Sequence, residues 1–521
     1  MRRIFLALFL AIGLSVAGLA LGQQVEAVAA GTACGDLAGL SIPDVTVMSA
    51  SLVDAGSFTP PGSTRALSVK AFCRVTAVAS PTSDSQISIE VWLPPAAAWN
   101  RKLLGTGNGG FSGSIGYPAL AAAVARGYAA VGTDGGHSGD QIQFALGHPE
   151  KIVDWAYRSV HVMTEAAKLV VRNHQGRFPE RSYFEGCSTG GQQALSEVQR
   201  FPSDYDGVVA GDPGHNRVRL ILGFLWSWTA THTDEGKPIL TAPKLAAISD
   251  AVVAACDAND GLKDGQIDDP RRCTFDPAVL ACRGDENDSC LTPPQVAAVK
   301  KVYEGAKNSR TGQQIFPGWI RGSERGWGTY ITNPGEPSRV DFFRIMAFHD
   351  PKWNWRTFDW NRDVSFVESQ VPFLSATSRD LSRFRSRGGK IVMYTGWSDP
   401  VVSPEDTVRY YEDVVKETGG LEATQKFFRF FPAPGVGHCG GGTGPNTFDA
   451  LSAVDQWVDR GIAPETLIAA RSANGAVERT RPLCAYPAVA RYKGTGSIDK
   501  AESFACGAIP PALKPAPAAG R

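Results

Sequence analysis

Twice along this 521-residue chain, short β-rich runs alternate with stretches of helical periodicity, and between the two blocks the alternation stops. In the first block, segments 86–93, 101–105 and 127–132 read as strands, and 159–173 carries apolar residues at helical spacing. Segment 182–185 is then a strand running into a glycine-rich turn, 191–200 a helix and 206–210 the next strand. Strand, turn and helix in succession imply a mainly parallel α/β sheet. The rhythm returns with Lys390-Ile391-Val392-Met393-Tyr394-Thr395, a buried strand, then a helix over 407–415, a strand over 427–431 and a helix over 447–460. Segment 215–376 has little of this rhythm, yet it holds four of the ten cysteines and seven of the 12 tryptophans. It reads as an insertion, which makes 23–214 and 377–521 two parts of one domain.

Charge and leader bound the function classes. Lys+Arg number 52 and Asp+Glu 52, so nothing draws the chain toward nucleic acid or an anionic membrane. Hydrophobic residues at 43% and charged residues at 20% exclude a mostly disordered chain. Met1-Arg2-Arg3, an apolar run over 4–21 and small residues up to Gly22 read as a signal peptide over 1–22, with an uncleaved anchor as the alternative. The expected location is secreted or periplasmic. Ten cysteines without a C-x-x-C pair suggest five bridges in an oxidising compartment. Local pairing is entropically easiest: Cys256–Cys273, Cys282–Cys290, Cys484–Cys506 and Cys34–Cys73. That leaves Cys187 and Cys439.

Gly186-Cys187-Ser188-Thr189-Gly190 fits G-x-S-x-G between an expected strand and an expected helix. A sharp turn there lifts the serine hydroxyl off the sheet edge; the alternative is a glycine-rich turn whose serine caps the helix. A serine hydroxyl needs a base and an orienting acid, and in α/β-hydrolases the order along the chain is Ser, acid, His. Asp399 follows strand 390–395 and His438 follows strand 427–431, both at carboxyl strand ends where an open α/β sheet keeps its site. Alone, Asp399 reads more readily as a turn residue before Pro400. Cys187 immediately precedes Ser188, and Cys439 immediately follows His438. If they join, they clamp nucleophile and base together; otherwise they are two buried thiols.

Cys187-Ser188, Asp399 and His438-Cys439 resemble the CS-D-HC motif of the tannase and feruloyl esterase family, which includes mono(2-hydroxyethyl) terephthalate hydrolase. The resemblance spans nearly the whole mature chain, including the glycine-rich segment 105–113. It implies an α/β-hydrolase fold with a large inserted lid domain. It further implies Ser188 as nucleophile, His438 as base and then acid, Asp399 as orienter, and a Cys187–Cys439 bridge. Elbow geometry offers the Thr189 N–H to an oxyanion. Gly107-Asn108-Gly109-Gly110, otherwise a plain glycine turn, is the natural second source, and the resemblance points to Gly110.

In the insertion, Asp257, Asp260 and Asp264 converge on a tight turn, an oxygen-rich environment suited to Ca²⁺, although a solvated acidic loop explains them equally well. It is no EF-hand, since Gly261 sits where a ligand should be. The resemblance implies a structural Ca²⁺ there, completed by the carbonyls of Leu262 and Gln266, and no organic cofactor. The tryptophans suggest aromatic walls above the serine, or ordinary packing. Arg344 and Phe348, four apart on an expected helix, share a face; the resemblance to the terephthalate-ester enzyme implies that such a pair holds an aromatic acid. The reading is therefore a secreted serine carboxylic ester hydrolase acting on small aromatic esters, feruloyl esters first, then galloyl esters and terephthalate monoesters. A calcium-stabilised, non-catalytic binding protein is the reading from another class, and a peptidase on the same scaffold is a third.

Overall fold

The computed structural model describes residues 31–111 and 113–508. The expected signal peptide over 1–22 lies outside the described residues. Nine strands form one sheet: β1 (Val45–Val53), β2 (Phe72–Ala79), β3 (Ile87–Leu93), β4 (Lys102–Thr106), β5 (Ala129–Thr133), β6 (Arg181–Cys187), β7 (Gly207–Gly211), β8 (Lys390–Gly396) and β9 (Phe428–Ala433). Their spatial order is β1-β2-β3-β5-β4-β6-β7-β8-β9. From β5 to β9 every pairing is parallel. β1, β2 and β3 pair antiparallel, as does β3 with β5. β1 and β2 escaped the sequence reading, because an antiparallel edge brings no crossover helix to signal it.

The parallel strands are apolar along their length because helices cover both faces. β7, Gly-Val-Val-Ala-Gly, is buried at all five positions. On one face, helices Tyr117–Ala125 and Ala450–Arg460 bury Leu120, Val124, Leu451, Val454 and Trp457 against the sheet. On the other, Ser159–Gln175, Thr189–Arg200 and Pro404–Thr418 bring Met163, Val170, Leu195, Val198, Val408 and Val414. Local signals set their ends: Pro404 suits the first turn of its helix, and Gly176 closes another at φ +72°.

Segment 215–376 leaves the sheet after β7 and rejoins it before β8. It carries helices Arg217–Thr231, Ala242–Cys256 and Pro293–Glu304, and among the described residues it adds no strand to the sheet. Its apolar residues pack in two clusters, one around Leu225, Phe342 and Phe343 that also takes in Phe111, Ile142 and Trp155 of the α/β part, another around Leu245, Val299 and Trp327 that takes in Val401 and Val402. Five disulfides join Cys34–Cys73, Cys187–Cys439, Cys256–Cys273, Cys282–Cys290 and Cys484–Cys506.

Candidate active site

β6 ends at Cys187 and the helix Thr189–Arg200 begins two residues later, so the reversal falls on Ser188. Its φ is +64°, a region that residues with a Cβ avoid. Glycines make the turn sterically possible. A Cβ on Gly186 would stand 2.6 Å from the Gly190 backbone, and one on Gly107 2.5 Å from the Gly190 Cα. The Ser188 N–H donates to the Gly211 carbonyl at 2.9 Å. Its side chain makes no capping hydrogen bond, so the helix-cap alternative does not describe it.

Asp399, fully buried, follows β8. One carboxylate oxygen accepts the Val401 and Val402 N–H groups at 2.6 and 3.0 Å; the other lies 2.7 Å from Nδ1 of His438. The carboxyl thus serves both the turn that Pro400 announces and the imidazole. With the Nδ1 proton directed at Asp399, Nε2 keeps its lone pair for a proton donor. Burial pushes the His438 imidazole down and Arg339 adds to that, while Asp399 and then Asp212 push it up; the balance lies above the ordinary value. The Cys187–Cys439 bridge, with Cα atoms 5.8 Å apart, joins the neighbour of Ser188 to the neighbour of His438.

The glycine-rich loop after β4 is fastened to the same helix. Asn108 accepts the Gly190 N–H on its carbonyl at 2.8 Å, and its own N–H donates to Gln193 Oε1 at 2.9 Å. Thr189, first in its helix, has an N–H with no intrahelical acceptor. Its hydroxyl donates to the Gly110 carbonyl at 2.8 Å, fixing the Gly110–Phe111 peptide, and Gly110 itself has φ +55°. Behind it, the Arg217 guanidinium donates to Thr189 Oγ1 and to Gln192 Oε1, each at 2.7 Å. Arg217 is 2% exposed, and burial, then Arg339, push it down to about 9.

A family model described as tannase and feruloyl esterase matches residues 73–507. The chain belongs to that family. An uncharacterized esterase of Xanthomonas campestris pv. campestris is 40% identical over 94% of this chain and 93% of its own length. Mono(2-hydroxyethyl) terephthalate hydrolase of Piscinibacter sakaiensis is 34% identical, covering 80% of each chain. The crystal structure of feruloyl esterase B from Aspergillus oryzae superposes with a TM-score of 0.84 at 31% identity, covering 90% of this chain and 98% of that one. The protein is a carboxylic ester hydrolase with the α/β fold of these relatives.

Beside the glycine-rich loop after β4 opens a cavity of about 430 Å³, lined by Gly110, Phe111, Asp140, Tyr330, Arg339 and Phe342 among others. Arg339 was not singled out in the sequence. It lies over the rings of Phe111 and Phe224 at 5.6 and 4.7 Å, and burial pushes it down. Arg344 and Phe348 lie outside this lining. Glu336 and Asp341 hold the Arg344 guanidinium at 2.7 and 3.2 Å, and Phe348 stacks on Trp353 with centroids 4.6 Å apart. The aromatic walls are phenylalanine and tyrosine, while Trp228, Trp319, Trp327 and Trp355 are buried in the apolar clusters that the insertion shares with the α/β part.

The acidic loop of the insertion gathers oxygen donors only. Burial, then the charges of Asp264 and Asp257, hold the Asp260 carboxyl above the usual range, and burial, then the Asp260 charge, does the same for Asp268; a divalent cation would offset both. Asp257 accepts the Asp264 and Gly265 N–H groups at 3.1–3.2 Å, and Asp264 receives the guanidinium of Arg481. Among the described residues, Asp257, Asp260 and Asp264 do not converge within 4.8 Å of one another. The hard all-oxygen set fits Ca²⁺ by its chemistry, with the Leu262 and Gln266 carbonyls needed to fill the shell.

Proposed function

We propose that this esterase cleaves aromatic-acid esters, feruloyl esters foremost, through an acyl-enzyme. Ser188 Oγ attacks the ester carbonyl as Nε2 of His438 takes its proton; Asp399 holds the ring and offsets its charge. The N–H groups of Thr189 and Gly110 receive the oxyanion. Collapse expels the alcohol with a proton from His438. Water, deprotonated by the same imidazole, then frees the acid and restores the serine. The observation that carries this reading is the meeting of three carboxyl strand ends at one point, with a disulfide joining two of them. Ser188→Ala tests it: the folded variant is expected to lose methyl ferulate hydrolysis, and undiminished turnover would refute Ser188 as nucleophile.

Feruloyl preference draws on the feruloyl esterase B likeness. One observation favours a second reading, terephthalate monoesters: the half-buried Arg339, which lines the same cavity as Gly110, forms no salt bridge among the described residues and suits an acyl group that ends in a carboxylate. A panel of feruloyl, galloyl and terephthaloyl monoesters separates them, and an Arg339→Met variant weakened only toward the terephthaloyl ester supports the second. Ca²⁺ held by Asp257, Asp260, Asp264 and the carbonyls of Leu262 and Gln266 supplies charge compensation in the insertion and no chemistry. Five disulfides fit an oxidising, extracytoplasmic compartment.

A further inference from the structure

Beneath the His438 loop lies a carboxyl group that the mechanism has not used. Asp212 follows β7 as Asp399 follows β8, and it is fully buried. One of its oxygens accepts the Gly396 N–H at 2.7 Å and the Thr395 hydroxyl at 3.2 Å. The other accepts the Cys439 N–H at 2.8 Å and lies 3.6 Å from Cys187 Sγ, a disulfide sulfur with no proton to give. Its backbone is at φ +34°, left-handed, as is that of Cys439 at +59°. Ligand-type atoms of Asp212, Asp399 and His438 all lie within 4.8 Å of one another. One side chain therefore ties the end of β7, the end of β8 and the residue after His438 into a single hydrogen-bonded unit.

We propose that Asp212 is a positioning residue of the hydrolytic site, a second carboxylate that fixes the His438 loop through Cys439 and shares with Asp399 the charge of the imidazolium. The inference rests on the Ser188–His438–Asp399 reading. A loop whose glycines Gly440, Gly441 and Gly442 all take positive φ needs an internal anchor, and the Cys439 N–H bond supplies one next to the base. The charged and titratable groups facing the pair are Asp399 and Tyr394 toward Asp212, and Asp399 and Arg339 toward His438. Burial, then Asp399, push the Asp212 carboxyl up to about 7, while the His438 charge and the Gly396 and Cys439 N–H groups push it back down.

The test compares Asp212→Asn, Asp212→Ser and Ser188→Ala with the unchanged enzyme. Asn presents an amide N–H₂ toward one of the two backbone donors, and Ser offers a hydroxyl acceptor without charge. Either variant is expected to lose on the order of 10- to 100-fold in kcat/KM, mostly in kcat. The acid limb of its pH–kcat/KM profile should move to lower pH, because a negative charge that raised the imidazole is gone. A packing role alone would lower stability and leave that limb in place. In the unchanged enzyme the acid limb should fall with a slope above one, as two groups take up protons. That measurement decides the matter if neither variant folds. An unmoved limb in a folded variant, or a slope of one in the unchanged enzyme, overturns the role of Asp212. Turnover surviving in Ser188→Ala instead overturns the triad reading beneath it.

Discussion

The Arg217 guanidinium is 2% exposed and forms no salt bridge among the described residues, yet it donates to Thr189 and Gln192 in the first turn of the elbow helix. A buried cation without a counter-charge costs stability. Placed behind Thr189, whose hydroxyl holds the carbonyl side of Gly110, it braces the turn that carries both proposed oxyanion donors and adds positive potential where negative charge develops. Arg217→Met is expected to lower kcat by on the order of 10- to 100-fold with little change in KM, and to leave Tm unchanged or raised. Steady-state kinetics with thermal unfolding checks both; a fall in Tm with kcat intact would make Arg217 a packing residue. Nothing in the sequence marked this arginine, since its meaning comes from a hydroxyl 28 positions away. Asp212 was more legible. It stands in Gly211-Asp212-Pro213 at a carboxyl strand end, the same positional rule that singled out Asp399.

At the scale of the element, β6, the turn and the following helix were readable because small residues, strand pattern and helix pattern coincide there. The reason those glycines are required is tertiary: Gly186, Gly190 and Gly107 pack backbone on backbone, with no room for a methyl group. Gly186→Ala is expected to destabilise by about 1–3 kcal/mol through overpacking and to lower turnover by moving Ser188. Chemical denaturation with a parallel assay checks it; an unchanged midpoint would mean the elbow relaxes freely. The element assigned to Arg344 and Phe348 shows the opposite case. Helical spacing put both residues on one face, but Glu336, Asp341 and Trp353 occupy them, and the cation at the cavity is Arg339, just before that helical turn.

Across the whole molecule, the Cys187–Cys439 bridge closes 252 residues that include the entire insertion. In the chain-entropy account such a loop contributes about 5 kcal/mol. Replacing both cysteines by serine should therefore lower Tm and reduce kcat more than KM, because the hydroxyl and imidazole lose their tether. A double variant with wild-type kcat would show that packing alone aligns them. Calcium belongs to the same scale: Arg479 and Arg481, on the strand Ala476–Cys484 that pairs antiparallel with Thr466–Ala473, reach to Asp264, so the acidic loop braces the insertion against the C-terminal part of the chain. Chelation is expected to lower Tm without altering kcat at temperatures where the protein stays folded. Calcium re-addition should restore it, and a Tm indifferent to both would remove the ion.

Local rules were enough to read the alternating α/β blocks, the elbow, the interrupted rhythm and the entropically easy cysteine pairs from the amino acids alone. Each depends on spacing of a few residues, where backbone sterics and hydrophobic periodicity act directly. The antiparallel strands β1 and β2, the burial of Arg217 and Asp212, and the choice of Arg339 over Arg344 at the cavity were settled only in three dimensions. They depend on which distant side chains supply or withhold a partner once water is gone, and no local pattern encodes that.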